Sequence, residues 1–398
     1  MGREGRVSMR IAIDVQPLQT GTRFNEHGYY LRNVLQHLSR LDGDNEYTFL
    51  LNNAAYLADV TPPAFSWKKH YVTRKHLLGR WWWRWDTVYL PTVFLRKNID
   101  LYHYNSLAEW ERMIPPIPFG KHRVVATIYD MLPLKFPEDR SASGPSSRWA
   151  GEYATKLHRL AYADVILTLS ECSKQDILSL LPLPESRIVV TSCGLADHFT
   201  HPPASGQAER VRATYHLPEA FILYPGGYVS RRKNIERLLE AYDLLRQALP
   251  APLPALVLAG LSQPADQEQV ASLLHKRNLA LHVMTLPYIP EEDRPYLYRA
   301  ATLLVYPSLY EGFARPVAEA LACGAVVAAS NTSSFPEIAG DAAFYFDPYD
   351  SANMAEVMAE GLSNIPRRQD FQHRGPDQAA RFSWETTARK ILAVYNQV

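Results

Sequence analysis

The sequence has few cysteines and no long apolar run, and both absences narrow the class of protein. Cys172, Cys193 and Cys323 show no paired spacing and no neighbouring histidine cluster. This argues against a disulfide framework or a structural zinc site and favours a reducing, cytoplasmic setting. No apolar stretch approaches the length of a membrane span. The N-terminal run MGREGRVSMRIAIDV has no signal-peptide core, and we expect residues 1–8 to form an unstructured leader.

The sequence also lacks an excess of charge of either sign. Lys and Arg total 42 against 41 Asp and Glu, so a general nucleic-acid-binding surface is not expected. The hydrophobic fraction of 47% and the charged fraction of 21% are typical of a soluble globular protein. A chain of 398 residues is too long for one ordinary core, and two domains of about 200 residues each are the natural expectation.

Short apolar runs alternate with amphipathic segments in both halves of the chain, which predicts parallel sheets covered by helices. The runs are IAIDV, YTFLL, VVATIYD, VILTLS and IVVTS, then FILYPG, ALVLAG, HVMTL, TLLVYPS and AVVAAS. The alternation restarts after a stretch that contains Pro, Gly and Ser. We therefore predict Rossmann-like domains over residues 9–198 and 218–381, joined by a linker over 199–217. Ligands of such sheets bind at the carboxyl ends of the strands.

The stretch EGFARPVAEALACG places two glutamates around a predicted helix start. Pro316 suits a first helical turn and Gly324 a helix stop, which predicts a helix from Pro316 to Cys323. Glu311 then lies in the preceding loop and Glu319 in the first turn. Two interpretations stay open. In the first, Glu319 complements the helix dipole, which is worth about 0.3–1 kcal/mol, and Glu311 is a solvated loop carboxylate. In the second, the free N–H groups between the two glutamates form an anion site.

A second junction, GYVSRRKNIERLLEAY, favours the anion site. Arg231, Arg232 and Lys233 precede a helix for which Asn234 is the expected N-cap. Three cations at the positive end of a helix dipole are unfavourable unless solvent or an anion compensates them. A bound diphosphate explains this arrangement better than solvation does, and both junctions together predict one nucleotide-diphosphate ligand.

The run EGFARPVAEALACGAVVAASNTSSFPEIAGDAAFYFDPYD resembles the signature of the retaining glycosyltransferase family 4. That pattern has a Glu, seven residues, a second Glu, then Ala-Cys-Gly and a Ser-Pro-Glu type of segment. GYVSRRKNIERLLEAY resembles the family's Arg-Lys-Asn phosphate motif, and ATIYDMLPLKFPE, ADVILTLSECSKQDI and FSWETTARKILAVY also match. The resemblance implies the α/β GT-B fold, with two doubly wound Rossmann-like domains facing across a cleft. It also implies that a C-terminal helix over residues 382–398 crosses back to the N-terminal, acceptor-binding domain.

The resemblance implies roles for residues at both junctions. Glu311 would bind the donor sugar hydroxyls, while Arg232 and Lys233 would hold the diphosphate, and these three form the expected catalytic set. The remaining expected donor contacts are Glu319 to the ribose, the amides of Gly312, Phe313, Ala314 and Arg315, Arg231 as a helper, Gly227, the backbone near Ile289 for the base, and Gly28 near the phosphate.

The implied reaction transfers a hexosyl or deoxyhexosyl group from a nucleotide-diphosphate sugar to an acceptor hydroxyl, with retention and without a metal or other cofactor. The acceptor is a sugar, glycolipid or small molecule in polysaccharide, glycolipid or glycoside assembly. The acidic pair Asp42-Gly-Asp44 is interpreted as a turn. The alternatives are a catalytically inert nucleotide-sugar-binding subunit and a GT-B-type epimerase. A phosphorylase would need a lysine-bound pyridoxal cofactor, for which the sequence has no signature.

The first domain departs from the family pattern at the expected acceptor site. Tyr129 stands before Asp130 where the family usually has His, and Tyr228 stands where many relatives carry Arg. His103, with Tyr104, follows a predicted strand and would border the acceptor together with Tyr129 and Asp130. His27 is interpreted as a surface histidine.

Residues 73–97 hold four tryptophans among arginines. Peripheral association with the inner face of a membrane is one interpretation. A helix that packs Trp and Leu inward is the other.

Overall fold

The structure is a computed structural model that describes residues 8–51, 69–73, 90–105, 107, 122–138, 146–201, 206–250 and 252–398. The chain divides into two compact units, one comprising Met1–Gly194 with Ser383–Val398 and the other Leu195–Phe382. The return of the C-terminal segment to the first unit confirms that part of the fold prediction. None of the helices in these ranges is long and apolar enough to cross a membrane.

The strands of the first unit are β1 Arg10–Asp14, β2 Glu46–Leu51, β3 Lys69–Thr73, β4 Leu101–Tyr104, β5 Arg123–Thr127, β6 Val165–Thr168 and β7 Ile188–Val190. Those of the second unit are β8 Phe221–Tyr224, β9 Ala255–Leu258, β10 Val283–Thr285, β11 Leu303–Tyr306, β12 Val327–Ser330 and β13 Phe344–Phe346.

The helices of the described ranges are α1 Glu26–Leu41, α2 Leu90–Lys97, α3 Leu132–Lys135, α4 Ser146–Leu160, α5 Glu171–Leu180, α6 Asp197–Thr200, α7 Gln207–Thr214, α8 Ile235–Ala248, α9 Pro264–Lys276, α10 Arg294–Ala300, α11 Arg315–Ala322, α12 Phe335–Ala339, α13 Ser351–Ser363, α14 Ile365–Ala379 and α15 Trp384–Gln397. Short 3₁₀ turns cover Gln16–Gln19, Gly21–Phe24 and Glu185–Arg187.

Within the described residues, the first unit has a seven-stranded sheet in the order β3-β2-β1-β4-β5-β6-β7. Its strands pair in parallel, with Ile11 opposite Tyr47 on one side and Leu101 on the other. Both neighbours and Ile11 itself are fully or almost fully buried, as a sheet covered on both faces requires. The strand order reverses between β1 and β4, which is the switch point of a doubly wound sheet.

The second unit has a six-stranded parallel sheet, counted over the same ranges, in the order β10-β9-β8-β11-β12-β13. Its core joins β8, β9 and β11 to α8 and α13 through residues such as Ile222, Val305, Leu238 and Met354, all fully buried. The order again reverses, here between β8 and β11, so the loops after these two strands border one crevice.

The C-terminal helix α15 packs on α1 within the first unit. Ser383 caps it by accepting a hydrogen bond from the Thr386 amide at 3.3 Å. The Trp384 ring lies 5.7 Å, centroid to centroid, from both Tyr29 and Tyr30. A Cβ at Gly194 would overlap the Trp384 backbone, so the close approach of this helix requires glycine there.

Several sequence-based expectations need correction. The expected linker, residues 199–217, overlaps the end of α6 and contains the whole of α7. The LYHY segment was expected to follow a strand but is β4 itself, and β3 and β13 had no counterpart among the predicted runs. Helix α11 begins at Arg315, which places Glu319 in the second turn rather than the first. Asn234 occupies the N-cap position of α8 with φ of 58°, yet its side chain makes no cap bond. Its side-chain Nδ2 donates instead to the backbone carbonyls of Pro307 and Pro348 at 3.0 and 2.7 Å.

Candidate active site

The two predicted anion-binding junctions meet at the switch point of the second unit. The loop after β8 carries Arg232 and Lys233, and the loop after β11 carries Glu311. Because β8 and β11 are parallel neighbours, both loops leave the same edge of the sheet. A backbone bond from the Leu309 amide to the Arg232 carbonyl, 2.8 Å long, ties them together.

Glu311 forms a buried ion-pair cluster with both cations. Arg232 Nη1 lies 2.6 Å and Lys233 Nζ 2.9 Å from the same oxygen, Glu311 Oε1. All three side chains are less than a tenth exposed. Burial by itself raises the pKa of Glu311, but the Arg232 guanidinium and the Lys233 ammonium outweigh it, so this pKa lies below its usual value. With one anion for two cations, the cluster carries a net positive charge suited to a phosphate.

Two tyrosines fix the positions of the cations. Lys233 Nζ donates to the Tyr306 hydroxyl at 3.0 Å and lies 5.2 Å from the centre of the Tyr228 ring. Arg232 Nη2 donates to the Tyr228 hydroxyl, and Nη1 donates to the Tyr310 carbonyl at 3.0 Å. Tyr228, which replaces the expected Arg, thus supplies a ring and a hydroxyl to the two cations. Arg231 is exposed in the turn before α8.

The loop after β12 holds the backbone of Glu311, a contribution that the sequence analysis missed. The Glu311 amide donates to Ser333 Oγ at 3.0 Å. Ser333 Oγ and Ser334 Oγ each donate to the Glu311 carbonyl at 2.9 Å. The available signal was that both serines follow within four residues of the end of the apolar run AVVAAS, whose strand β12 pairs with β11.

Glu319 forms a second buried network on α11. It is 1% exposed and accepts hydrogen bonds from the Tyr298 hydroxyl at 3.0 Å and from Arg294 Nη1 at 3.2 Å. Arg315 Nη1 lies 3.5 Å away. Burial, together with the Glu319 carboxylate, raises the pKa of Tyr298 well above its usual value. Arg294 and Tyr298 come from α10, and the segment EEDRPYLYRA gave no local reason to expect them here.

The predicted backbone contacts are only partly available to a ligand. The Arg315 amide donates to the Phe313 carbonyl at 2.7 Å, and the Gly227 amide to the Ala259 carbonyl at 3.2 Å. The Phe313 ring packs edge-on against Phe382 at 5.3 Å. Ala314 has φ of −73°, an ordinary value, so alanine does not strain this turn.

The other two predicted donor contacts, Gly312 and Ile289, both lie buried in loops. Gly312 is buried in the same loop, and Ile289 is 5% exposed in the loop after β10. The ligand roles of all these residues stay predictions.

In the first unit, packing within the fold accounts for the glycine at position 28 and for the histidine at position 103. Gly28 lies in the first turn of α1, and a Cβ there would overlap the backbone of Arg23. His103 is 1% exposed. Its Nδ1 lies 2.5 Å from the Tyr395 hydroxyl and its Nε2 2.8 Å from Thr127 Oγ1. Because both ring nitrogens are engaged in the core, the expectation that His103 borders an acceptor needs correction.

Tyr129 and Asp130 follow β5 at the carboxyl edge of the first sheet. Tyr129 is 4% exposed, and its ring meets His27 edge-on at 4.3 Å. Asp130 Oδ1 accepts from the Leu132 amide at 2.9 Å, and its carbonyl accepts from the Tyr153 hydroxyl at 2.6 Å. His27 is partly buried, which corrects its interpretation as a surface histidine.

The interpretation of Asp42 as a turn residue is confirmed. Its Oδ1 accepts from the amides of Asp44 and Asn45 at 3.0 and 3.3 Å. Most of the tryptophan-rich segment 73–97, including residues 74–89, lies outside the described residues, so the membrane-association hypothesis stays a prediction.

Comparison with known proteins relates this geometry to a family. The profile of the family Glycosyl transferases group 1 matches residues 209–378. Over 280 residues the chain is 33% identical to an O-antigen chain mannosyltransferase B of Escherichia coli, covering 70% of this chain and 71% of that one. It is 31% identical to the E. coli serotype-specific mannosyltransferase WbdA, of which it covers only 34%.

A solved structure of Anabaena HepE in complex with UDP-glucose superposes with a TM-score of 0.70. The superposition covers 98% of this chain and 100% of that one at 16% identity. At that identity the likeness bears on the fold alone.

Proposed function

The chain belongs to the group 1 glycosyltransferases, and from that premise we propose that it transfers a mannosyl group from a nucleotide-diphosphate sugar to a saccharide hydroxyl, with retention and without a metal. The observation that carries the proposal is the convergence of Arg232 and Lys233 on Glu311 at the switch point. The names of the E. coli relatives favour mannose and a polysaccharide product.

In this proposal the two cations hold the departing diphosphate. The guanidinium of Arg232 and the ammonium of Lys233 bring two positive charges to the single negative charge of Glu311, so the cluster attracts a further anion. The N-terminus of α8 directly follows Lys233 and adds its dipole on the same side. Cations fixed in place before the reaction stabilise charge as it develops on the leaving group. Glu311, anchored by Ser333 and Ser334, holds the sugar hydroxyls beside the reacting carbon.

The proposed bond changes need no enzymic nucleophile. The bond between the anomeric carbon and the phosphate oxygen breaks, and its electron pair leaves with the nucleoside diphosphate. The acceptor oxygen bonds to the anomeric carbon on the same face. Its proton passes to the departing phosphate oxygen, so charge and atoms balance without a protein base.

The test offers the purified protein GDP-α-D-mannose, UDP-α-D-glucose and dTDP-α-D-glucose in turn, with and without octyl α-D-mannoside. We expect one donor to release nucleoside diphosphate and to give an α-linked product by NMR, with the rate unchanged by EDTA. A β-linked product would overturn retention, and loss of activity in EDTA would overturn metal independence. Binding without hydrolysis or transfer by any donor would indicate an inert nucleotide-sugar-binding subunit, and a rearranged free sugar would indicate an epimerase.

A further inference from the structure

The carboxyl edge of the first sheet brings His27 against Tyr129, the residue that departs from the family pattern. His27 is the second residue of α1, and Tyr129 lies two residues after β5. Their ring centres are 4.3 Å apart at an interplanar angle of 83°. Tyr129 in turn meets Tyr30 at 5.5 Å, and the Tyr30 hydroxyl donates to Thr191 Oγ1 at 2.9 Å. The row of rings is therefore anchored in the core of the unit.

The N-cap of α1 determines which nitrogen of His27 carries the proton. Asn25 Oδ1 accepts the His27 amide hydrogen at 3.0 Å, so the oxygen of this side chain faces the helix. The same oxygen lies 3.2 Å from His27 Nδ1. An amide oxygen only accepts, so we assign the imidazole proton to Nδ1, which leaves a lone pair on Nε2. Burial lowers the pKa of His27 to about 4, so the ring is neutral near pH 7.

His27 differs from His103, the fully buried histidine of the same unit, in the use of its ring nitrogens. His103 uses both ring nitrogens within the core. Among the residues that the structure describes, His27 Nε2 has no hydrogen-bond partner. A neutral imidazole with one fixed proton and one lone pair is suited to accept a hydrogen bond from a hydroxyl group.

We propose that His27 is a positioning residue for the acceptor, with Nε2 accepting a hydrogen bond from a hydroxyl of the acceptor saccharide. Tyr129 holds the imidazole by its edge-on contact, and Asn25 fixes its tautomer. The inference rests on the transfer reaction proposed above and adds a residue to it. His27 takes no proton in the reaction; it orients a hydroxyl of the acceptor.

Steady-state kinetics with octyl α-D-mannoside as acceptor test this role. We expect His27→Ala to raise the acceptor KM about tenfold, the effect of losing one hydrogen bond, with the rate of acceptor-independent donor hydrolysis unchanged. His27→Gln should restore most of the loss, because its carbonyl oxygen reaches the position of Nε2. His37→Ala is the matched control, since His37 lies on the same helix with Nδ1 2.9 Å from the Asn33 carbonyl. An unchanged acceptor KM in His27→Ala, or a parallel fall in donor hydrolysis, would overturn the proposal.

A second readout does not depend on turnover. Titration of the ¹⁵N-histidine-labelled protein with octyl α-D-mannoside should shift the His27 Nε2 resonance and leave both His103 nitrogens unmoved. If the wild-type protein transfers no sugar, the proposed function fails, while this titration still decides the role of His27. A spectrum in which His27 Nε2 does not move would overturn the inference.

Discussion

The two units place different chemistry at the carboxyl edges of similar sheets. The second unit gathers Arg232, Lys233 and Glu311 into a buried charged cluster. The first unit presents at the matching edge the neutral rings of His27 and Tyr129, with Asp130 occupied by the Leu132 amide. The difference teaches that similar sheets can carry a charged cluster at one edge and neutral rings at the other, because the residues after the strands, not the strands, carry the chemistry. In the proposed function these edges serve the diphosphate and the acceptor hydroxyl.

The largest expected effect comes from removing the anion of the charged cluster. Glu311→Ala leaves two buried cations without their carboxylate, and breaking a buried pair in this way costs about 3–5 kcal/mol of unfolding free energy. We also expect transfer to be abolished. Urea unfolding monitored by circular dichroism measures the first effect and product formation the second.

The double variant Glu311→Gln, Lys233→Met is the control for Glu311→Ala. It should be more stable than Glu311→Ala, since it removes one cation along with the anion. A Glu311→Ala protein as stable as wild type would mean that the ion pairs contribute nothing.

The next largest effect comes from removing either cation of the cluster. Arg232→Ala and Lys233→Ala should each lower kcat by about 10²–10³-fold, the range for losing one preorganised donor to a developing charge. Arg246→Ala, which removes a partly buried cation in the last turn of α8 that pairs with Asp243 at 3.5 Å, is the matched control and should leave kcat unchanged. Equal turnover in the Lys233 variant would refute its role at the leaving group.

The third effect comes from His103 in the first unit and is a dependence of the unfolding free energy on pH. Burial lowers the pKa of His103 to about 3, whereas in the unfolded chain it is about 6.5. Between these values the unfolded state binds more protons, so the unfolding free energy falls as pH decreases. At pH 5 the expected loss is about 2 kcal/mol, in the same direction as the contribution of His27.

Denaturant unfolding at pH 7, 6 and 5 measures this slope. His103→Gln should be less stable throughout but should show a shallower pH dependence. If the unfolding free energy of His103→Gln depended on pH as steeply as that of the wild type, His103 would not be a source of the pH dependence.

The smallest expected effect comes from Tyr228. Tyr228→Phe keeps the ring near Lys233 and removes the hydroxyl that accepts from Arg232. We expect a loss of about 0.5–1.5 kcal/mol, seen as a drop of up to about tenfold in kcat/KM for the donor. Tyr228→Leu removes the ring as well and should cost more. An equal kcat/KM in Tyr228→Phe and Tyr228→Leu would show that the ring contributes nothing.

The sequence predicted the parallel sheets and the two strand-to-helix junctions because those signals are local. Continuous apolar runs define buried strands, and Pro316 and Gly324 mark the ends of a helix to within one residue. The three-residue strand β13 was missed, although β7 and β10 are equally short and were predicted.

The partners of the charged residues were not predictable from local patterns. Arg232 and Glu311 are 79 positions apart in sequence (311 − 232) and meet only because β8 and β11 are neighbours. Arg294 and Tyr298 reach Glu319 from a separate helix. His27 looked like a surface residue because nothing in its own segment reveals Tyr129, which comes from the loop after β5. Such contacts depend on strand order, which sequence periodicity does not encode.

The central claim is that Arg232 and Lys233 hold the leaving diphosphate, and a crystal structure with a nucleoside diphosphate tests it most directly. We expect β-phosphate oxygens within about 3.2 Å of Lys233 Nζ and of the Arg232 guanidinium, beside the N-terminus of α8. A well-ordered diphosphate bound away from both side chains, with the Glu311 pairs unchanged, would contradict the account.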